Sequence, residues 1–81
     1  MVPTLYTVGD CDESPRVRAW LVERGVAFVE RDITDDAEAA LALYRTGTFA
    51  TPLLVVGDTR VLGFRREAIA AALAGNGVPG S

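Results

Sequence analysis

Hydrophobic and polar positions alternate in short blocks along this chain, and the period of the alternation changes from block to block. Thr4 to Val8 carries Leu5, Tyr6 and Val8 in a β-prone run that Gly9-Asp10 closes. From Asp12 to Arg24 the period lengthens. Val17, Trp20 and Leu21 share one face at helical spacing, with Arg24 next on that face. Ser14-Pro15 reads as an N-cap followed by proline at the first helical position, and Gly25 stops the run. Val26 to Ile33 returns to alternation. Val26, Phe28, Glu30 and Asp32 lie on one side, Ala27, Val29, Arg31 and Ile33 on the other, and the strand turns polar towards its end. Thr34 or Asp35 is expected to cap a second helix, with Asp35, Asp36 and Glu38 in its first turn, where the helix dipole favours acids. That helix runs through Leu41, Leu43 and Tyr44 to Arg45, and Gly47 ends it. After a loop over Thr48 to Thr51, Pro52 to Val56 forms an apolar strand. Gly57-Asp58 is a hairpin turn, and Arg60 to Leu62 is the return strand. Arg65 to Ala74 is an alanine-rich closing helix with Ile69 and Leu73 inward. Gly75 to Ser81 is a glycine-rich tail expected to fray.

The order is β-α-β-α-β-β-α. Two strands joined by a helix run parallel through a right-handed crossover, and the two strands of a hairpin run antiparallel. The fold class is therefore α/β, with a four-stranded mixed sheet covered by three helices. No repeat or linker divides the chain, so one domain is expected over residues 1–75 and a flexible tail over 76–81.

Composition narrows the function. With 81 residues the core is thin, yet 49% hydrophobic against 23% charged residues suits a folded globule. The net charge is −3 and no basic run occurs, which argues against nucleic acid as a partner. All eight cations are arginine and there is no histidine. A histidine general base and mixed histidine–cysteine zinc sites are thereby excluded, and no metal site is expected. The single cysteine cannot close a disulfide within the chain and fits a reducing cytoplasm. Neither a signal peptide nor a segment of membrane-spanning length is expected.

Cys11 is the residue with chemistry. It follows the first strand and precedes the first helix, where the helix N-terminus favours a thiolate. It is either a nucleophile or a small inert residue in a turn. Asp12 and Glu13 beside it act either at the site or as first-turn helix stabilisers. Phe49 and Phe64 form either an apolar wall for a partner or a cap on the core.

The run Leu5-Tyr6-Thr7-Val8-Gly9-Asp10-Cys11-Asp12-Glu13-Ser14, followed by a helix, resembles the start of the glutaredoxin active site. There a tyrosine-bearing strand leads into Cys-x-x-Cys or Cys-x-x-Ser. Thr51-Pro52 stands where that family carries its cis-proline, and Gly63-Phe64-Arg65 stands where it carries Gly-Gly or Gly-Phe. The Gly-Phe-Arg form is most like the bacterial redoxins that reduce ribonucleotide reductase. The resemblance covers roughly residues 4 to 74 and implies a thioredoxin fold and thiol–disulfide oxidoreductase activity. It implies Cys11 as nucleophile, with Ser14 in the place of the second cysteine. It implies substrate contacts from Tyr6, Glu13, Thr51, Pro52, Gly63, Phe64 and Arg65. Thr51 would offer backbone hydrogen bonds to an extended substrate, Pro52 would be cis, and Gly63 would allow close backbone approach. Read without the resemblance, Thr51-Pro52 is a plain trans strand start.

Several positions depart from the family pattern. Ser14 restricts the chain to a one-thiol cycle; the alternative reading of Ser14 is a replacement that traps mixed disulfides. Val8 stands where a lysine is common, Glu13 where an aromatic is common, and Arg65-Arg66 where an acid is common. These changes weaken the expected grip on glutathione, although the arginines can hold a carboxylate. Asp10, Asp12 and Glu13 crowd Cys11, and their repulsion of a thiolate roughly offsets the helix dipole. Cys11 is therefore expected to titrate near or above the ordinary value of a cysteine thiol.

Three functions follow in order. The first is a monothiol oxidoreductase acting on glutathione or protein disulfides, monomeric and cytoplasmic. It would hold no tightly bound cofactor, take glutathione as co-substrate and need neither membrane nor nucleic acid. The second is an iron–sulfur cluster module, and the third a redox-inactive interaction domain of the same fold.

Overall fold

A computed structural model of the protein describes residues 2–9, 12–47 and 50–78. The elements follow the expected order: β1 (Thr4–Thr7), α1 (Ser14–Glu23), β2 (Val29–Asp32), α2 (Ala37–Arg45), β3 (Leu53–Val56), β4 (Thr59–Leu62) and α3 (Arg66–Gly75). The sheet order is β2-β1-β3-β4. β1 pairs parallel with β2 and antiparallel with β3, and β3 pairs antiparallel with β4. This is the thioredoxin fold.

The two central strands explain the layers. Successive side chains on a strand point to opposite faces. Leu5 and Leu54, paired across β1 and β3, face one way and join Val17, Trp20 and Leu21 of α1 with Ile69, Ala72 and Leu73 of α3. Tyr6 and Leu53, also paired, face the other way and meet Ala39 and Leu43 of α2. With helices on both sides, Leu53 to Val56 must be apolar throughout, which is why β3 does not alternate. The second expected strand is shorter than its pattern. Val26 is buried but belongs to the helix terminator before β2, and pairing begins only at Val29, whose N–H donates to the Pro3 carbonyl at 2.9 Å.

Both α1 and α3 end the same way. Gly25 at φ 69° and Gly77 at φ 69° adopt a left-handed turn that a side chain would disfavour. The N–H of the following valine then reaches back, Val26 to the Leu21 carbonyl at 3.0 Å and Val78 to the Leu73 carbonyl at 2.9 Å. Both valines are buried in the α1/α3 core. The expected fraying from Gly75 is thereby corrected: the chain stays docked through Val78, and of the tail only residues 79–81 lie outside the described residues.

The helix starts also differ from expectation. Asp36, not Thr34 or Asp35, caps α2, its carboxylate accepting from the Ala39 N–H at 3.1 Å. That bond, with Arg31 nearby, holds the Asp36 carboxyl below its ordinary range. On α1, Glu13 is the N-cap by backbone geometry, and Ser14 lies inside the helix.

A bidentate ion pair ties α1 to the β2 edge. Arg18 Nε donates to Glu30 Oε1 at 2.6 Å and Nη2 to Oε2 at 2.5 Å. The Arg18 hydrogen bonds hold the Glu30 carboxyl below the usual carboxylate range. A lowered carboxyl value stabilises the fold above the unfolded-state value, and that contribution fades as the pH falls through the folded value. Glu30→Gln is therefore expected to cost about 0.5–1 kcal/mol at pH 7, the scale of a well-formed pair largely open to solvent. The cost should shrink between pH 5 and about pH 2, as urea unfolding of both proteins at several pH values would show.

Candidate active site

The site is built where three loops meet at one end of the sheet: the segment from β1 to α1, the start of β3, and the turn from β4 into α3. The Thr51–Pro52 peptide is cis, as the resemblance implied. Pro52 is buried and Thr51 half-buried. The Pro52 carbonyl accepts from the Gly63 N–H at 2.8 Å, which fastens the proline to the β4–α3 turn. Gly63 has φ 80°, and a Cβ there would stand 3.0 Å from Glu13 Oε2. Both its backbone angle and this close approach call for glycine.

Glu13 completes the contact. Its Oε2 accepts from the Phe64 backbone N–H at 3.1 Å, across 51 residues of sequence. Its backbone carbonyl meanwhile accepts from Arg16 and Val17 at 3.0 and 3.1 Å, opening α1. One continuous path thus runs from the start of α1 through Glu13, Phe64 and Gly63 to cis-Pro52. The Phe64 side chain is half-buried and packs against the α1/α3 core. Arg65 and Arg66 are exposed and, with Phe64, Glu67 and Ala68, line a shallow depression of about 340 Å³ at the start of α3.

The expected residues fall into three groups. Glu13, Pro52, Gly63 and Phe64 are brought together by direct contacts, with Thr51 and Arg65 adjoining in sequence. Tyr6 is not among them: it is buried on the α2 side against Leu43 and Leu53. Cys11, Asp10 and Phe49 lie outside the described residues.

Ser14 departs from its expected N-cap role. It is 2% exposed, and its Oγ is buried with no hydrogen-bond partner among the described residues. A buried hydroxyl without a partner costs stability. Ser14→Ala should therefore raise stability by about 0.5–1 kcal/mol, because alanine also suits a helix start better than an unpaired hydroxyl. Chemical denaturation reads this directly, and a loss of more than about 1 kcal/mol would show that the hydroxyl is engaged in solution.

The glutaredoxin family model matches residues 4–61. The chain belongs to the glutaredoxin family. As a glutaredoxin it is a thiol–disulfide oxidoreductase of thioredoxin fold. This glutaredoxin is 30% identical over 67 residues to the glutaredoxin-like protein NrdH of Lactococcus lactis subsp. cremoris (strain MG1363), a match covering 83% of this chain and 93% of that one. Among solved structures it resembles the thioredoxin-like protein BC3987 at 32% identity and a TM-score of 0.80, over 88% of this chain and 99% of that one. It also resembles the glutaredoxin-like NrdH-redoxin of Escherichia coli, described as having a thioredoxin-like activity profile, at 31% identity and a TM-score of 0.77. That match covers 86% of this chain and 92% of that one. Among the described residues, no helix of this glutaredoxin is long and apolar enough to cross a membrane.

The Glu13–Phe64 bond could not be foreseen from spacing. Its one trace in the sequence is Gly63, the residue without a side chain that leaves room for the carboxylate.

Proposed function

We propose that this glutaredoxin works through a single thiol, with Cys11 as nucleophile. The observation that carries this reading is that the chain holds one cysteine, with serine three positions on, at the start of α1. The Cys11 thiolate attacks one sulfur of a disulfide R–S–S–R. The Cys11–S bond forms as the S–S bond breaks, and RS⁻ leaves and takes a proton from water. Cys11 is thereby oxidised to a mixed disulfide and the leaving sulfur reduced. With Ser14 unable to attack, a second thiol from outside must cleave the mixed disulfide, oxidising itself and returning Cys11 to the thiol.

The cis-Pro52 loop supports a substrate held in extended form beside Cys11, with Thr51 offering its backbone. Protein disulfides suit this surface better than glutathione, which meets Val8, Glu13 and Arg65-Arg66 where the family commonly has lysine, an aromatic and an acid. The thioredoxin-like profile described for the E. coli relative agrees with that preference. The test is intact-mass measurement of the reduced protein after exposure to a small disulfide. One adduct per chain, removed by dithiothreitol and absent after prior alkylation, is expected. A chain that stays unmodified would overturn the reading.

A further inference from the structure

Glu13 is the feature of the site that its sequence position does not explain. An acid at a helix N-cap normally turns its carboxylate to the N–H groups of its own helix. This one reaches a backbone N–H in another segment, 51 residues away, and glycine at 63 makes room for it. The donor it reaches, the Phe64 N–H, stands just before the start of the 10-residue helix α3, where Arg65, Arg66 and one acid, Glu67, line the adjoining depression. α3 has no side-chain cap of its own. Such a corner attracts a carboxylate, and the chain supplies one from within.

We propose that Glu13 is a specificity-determining residue: by occupying the Phe64 N–H beside cis-Pro52, its carboxylate selects against disulfides that carry a carboxylate of their own and leaves neutral disulfides preferred. This rests on the single-thiol reading above. An acidic disulfide at this corner must displace Glu13 from its donor or lie beside it as a like charge. Either route slows attack by Cys11 on that substrate alone. The exchange step is the same for both classes of substrate, with the Cys11–S bond made and the substrate S–S bond broken.

The experiment compares two probes, glutathione disulfide and the uncharged bis(2-hydroxyethyl) disulfide, on the full chain and on Glu13→Ala and Glu13→Gln. The readout is the ratio of the two rates of mixed-disulfide formation, which a loss of folded protein does not move. In Glu13→Ala the ratio should rise about fivefold in favour of glutathione disulfide, the scale of one modest interaction. In Glu13→Gln it should rise less, because the amide oxygen still accepts from Phe64 and keeps the corner filled. A ratio equal in all three proteins would overturn the proposal. So would an equal rise in both variants, since bulk charge rather than occupancy would then account for it. Wild-type protein inert to both probes would instead overturn the single-thiol reading on which the specificity rests.

Discussion

Cys11→Ser is expected to abolish disulfide exchange, lowering the rate by at least about three orders of magnitude, the usual scale for loss of a covalent nucleophile. The physical reason is elementary. Attack on a disulfide needs a polarisable anionic sulfur, and a serine hydroxyl neither ionises near neutral pH nor forms a stable bond to sulfur. The chain has no second cysteine to take over. The fold should hardly notice the change, because oxygen for sulfur is a small difference in volume. The assay is reduction of bis(2-hydroxyethyl) disulfide coupled to an external thiol, with circular dichroism as the control for folding. Activity in Cys11→Ser above that of buffer alone would mean that the thiol is not the reacting group.

Leu54→Ala is expected to have the largest effect on the fold. Leu54 sits in β3, between Leu5 on β1 and Val61 on β4, and all three are in the core that α1 and α3 cover. Its relative exposure is 1%, so truncation leaves a void with well-packed walls. Such truncations cost about 2–5 kcal/mol. A domain of this size has a total stability of only about 4–12 kcal/mol, so the variant should be marginal or unfolded at 25 °C. Urea denaturation would show the midpoint fall by about 2 M or more, given a slope of about 1 kcal/mol per M. Leu62→Ala, one strand away but 43% exposed, is the control and should cost less than about 1 kcal/mol.

What could be read from the residues and what could not have separate physical causes. Strand order followed from connectivity, because a helix between two strands leaves little choice but a parallel crossover, and a two-residue turn leaves little but a hairpin. The core faces followed from period: Val17, Trp20, Leu21, Ile69 and Leu73 are all buried as their spacing implied. The cis state of Pro52 came from the family resemblance, not from the local residues. Helix starts were harder to read. Ser14, Thr34, Asp35 and Asp36 are all competent caps, and which of them serves depends on where tertiary packing lets the first turn begin. The docked end of α3 does carry a sequence signal. Asn76-Gly77-Val78 repeats the logic of Arg24-Gly25-Val26, a left-handed glycine followed by a valine for the core. Its glycine-rich setting masked the signal. The Glu13–Phe64 bond was out of reach, because a contact between residues so far apart leaves no periodic imprint.

That same long-range bond has a consequence for how the molecule matures. The acceptor sits in the first quarter of the chain, while its donor and the partner of the Pro52 carbonyl both belong to the last third. A nascent chain that has yet to release Gly63 and Phe64 carries Glu13 without its partner. The path from Glu13 to Pro52 can therefore close only after the β3–β4 hairpin has been made.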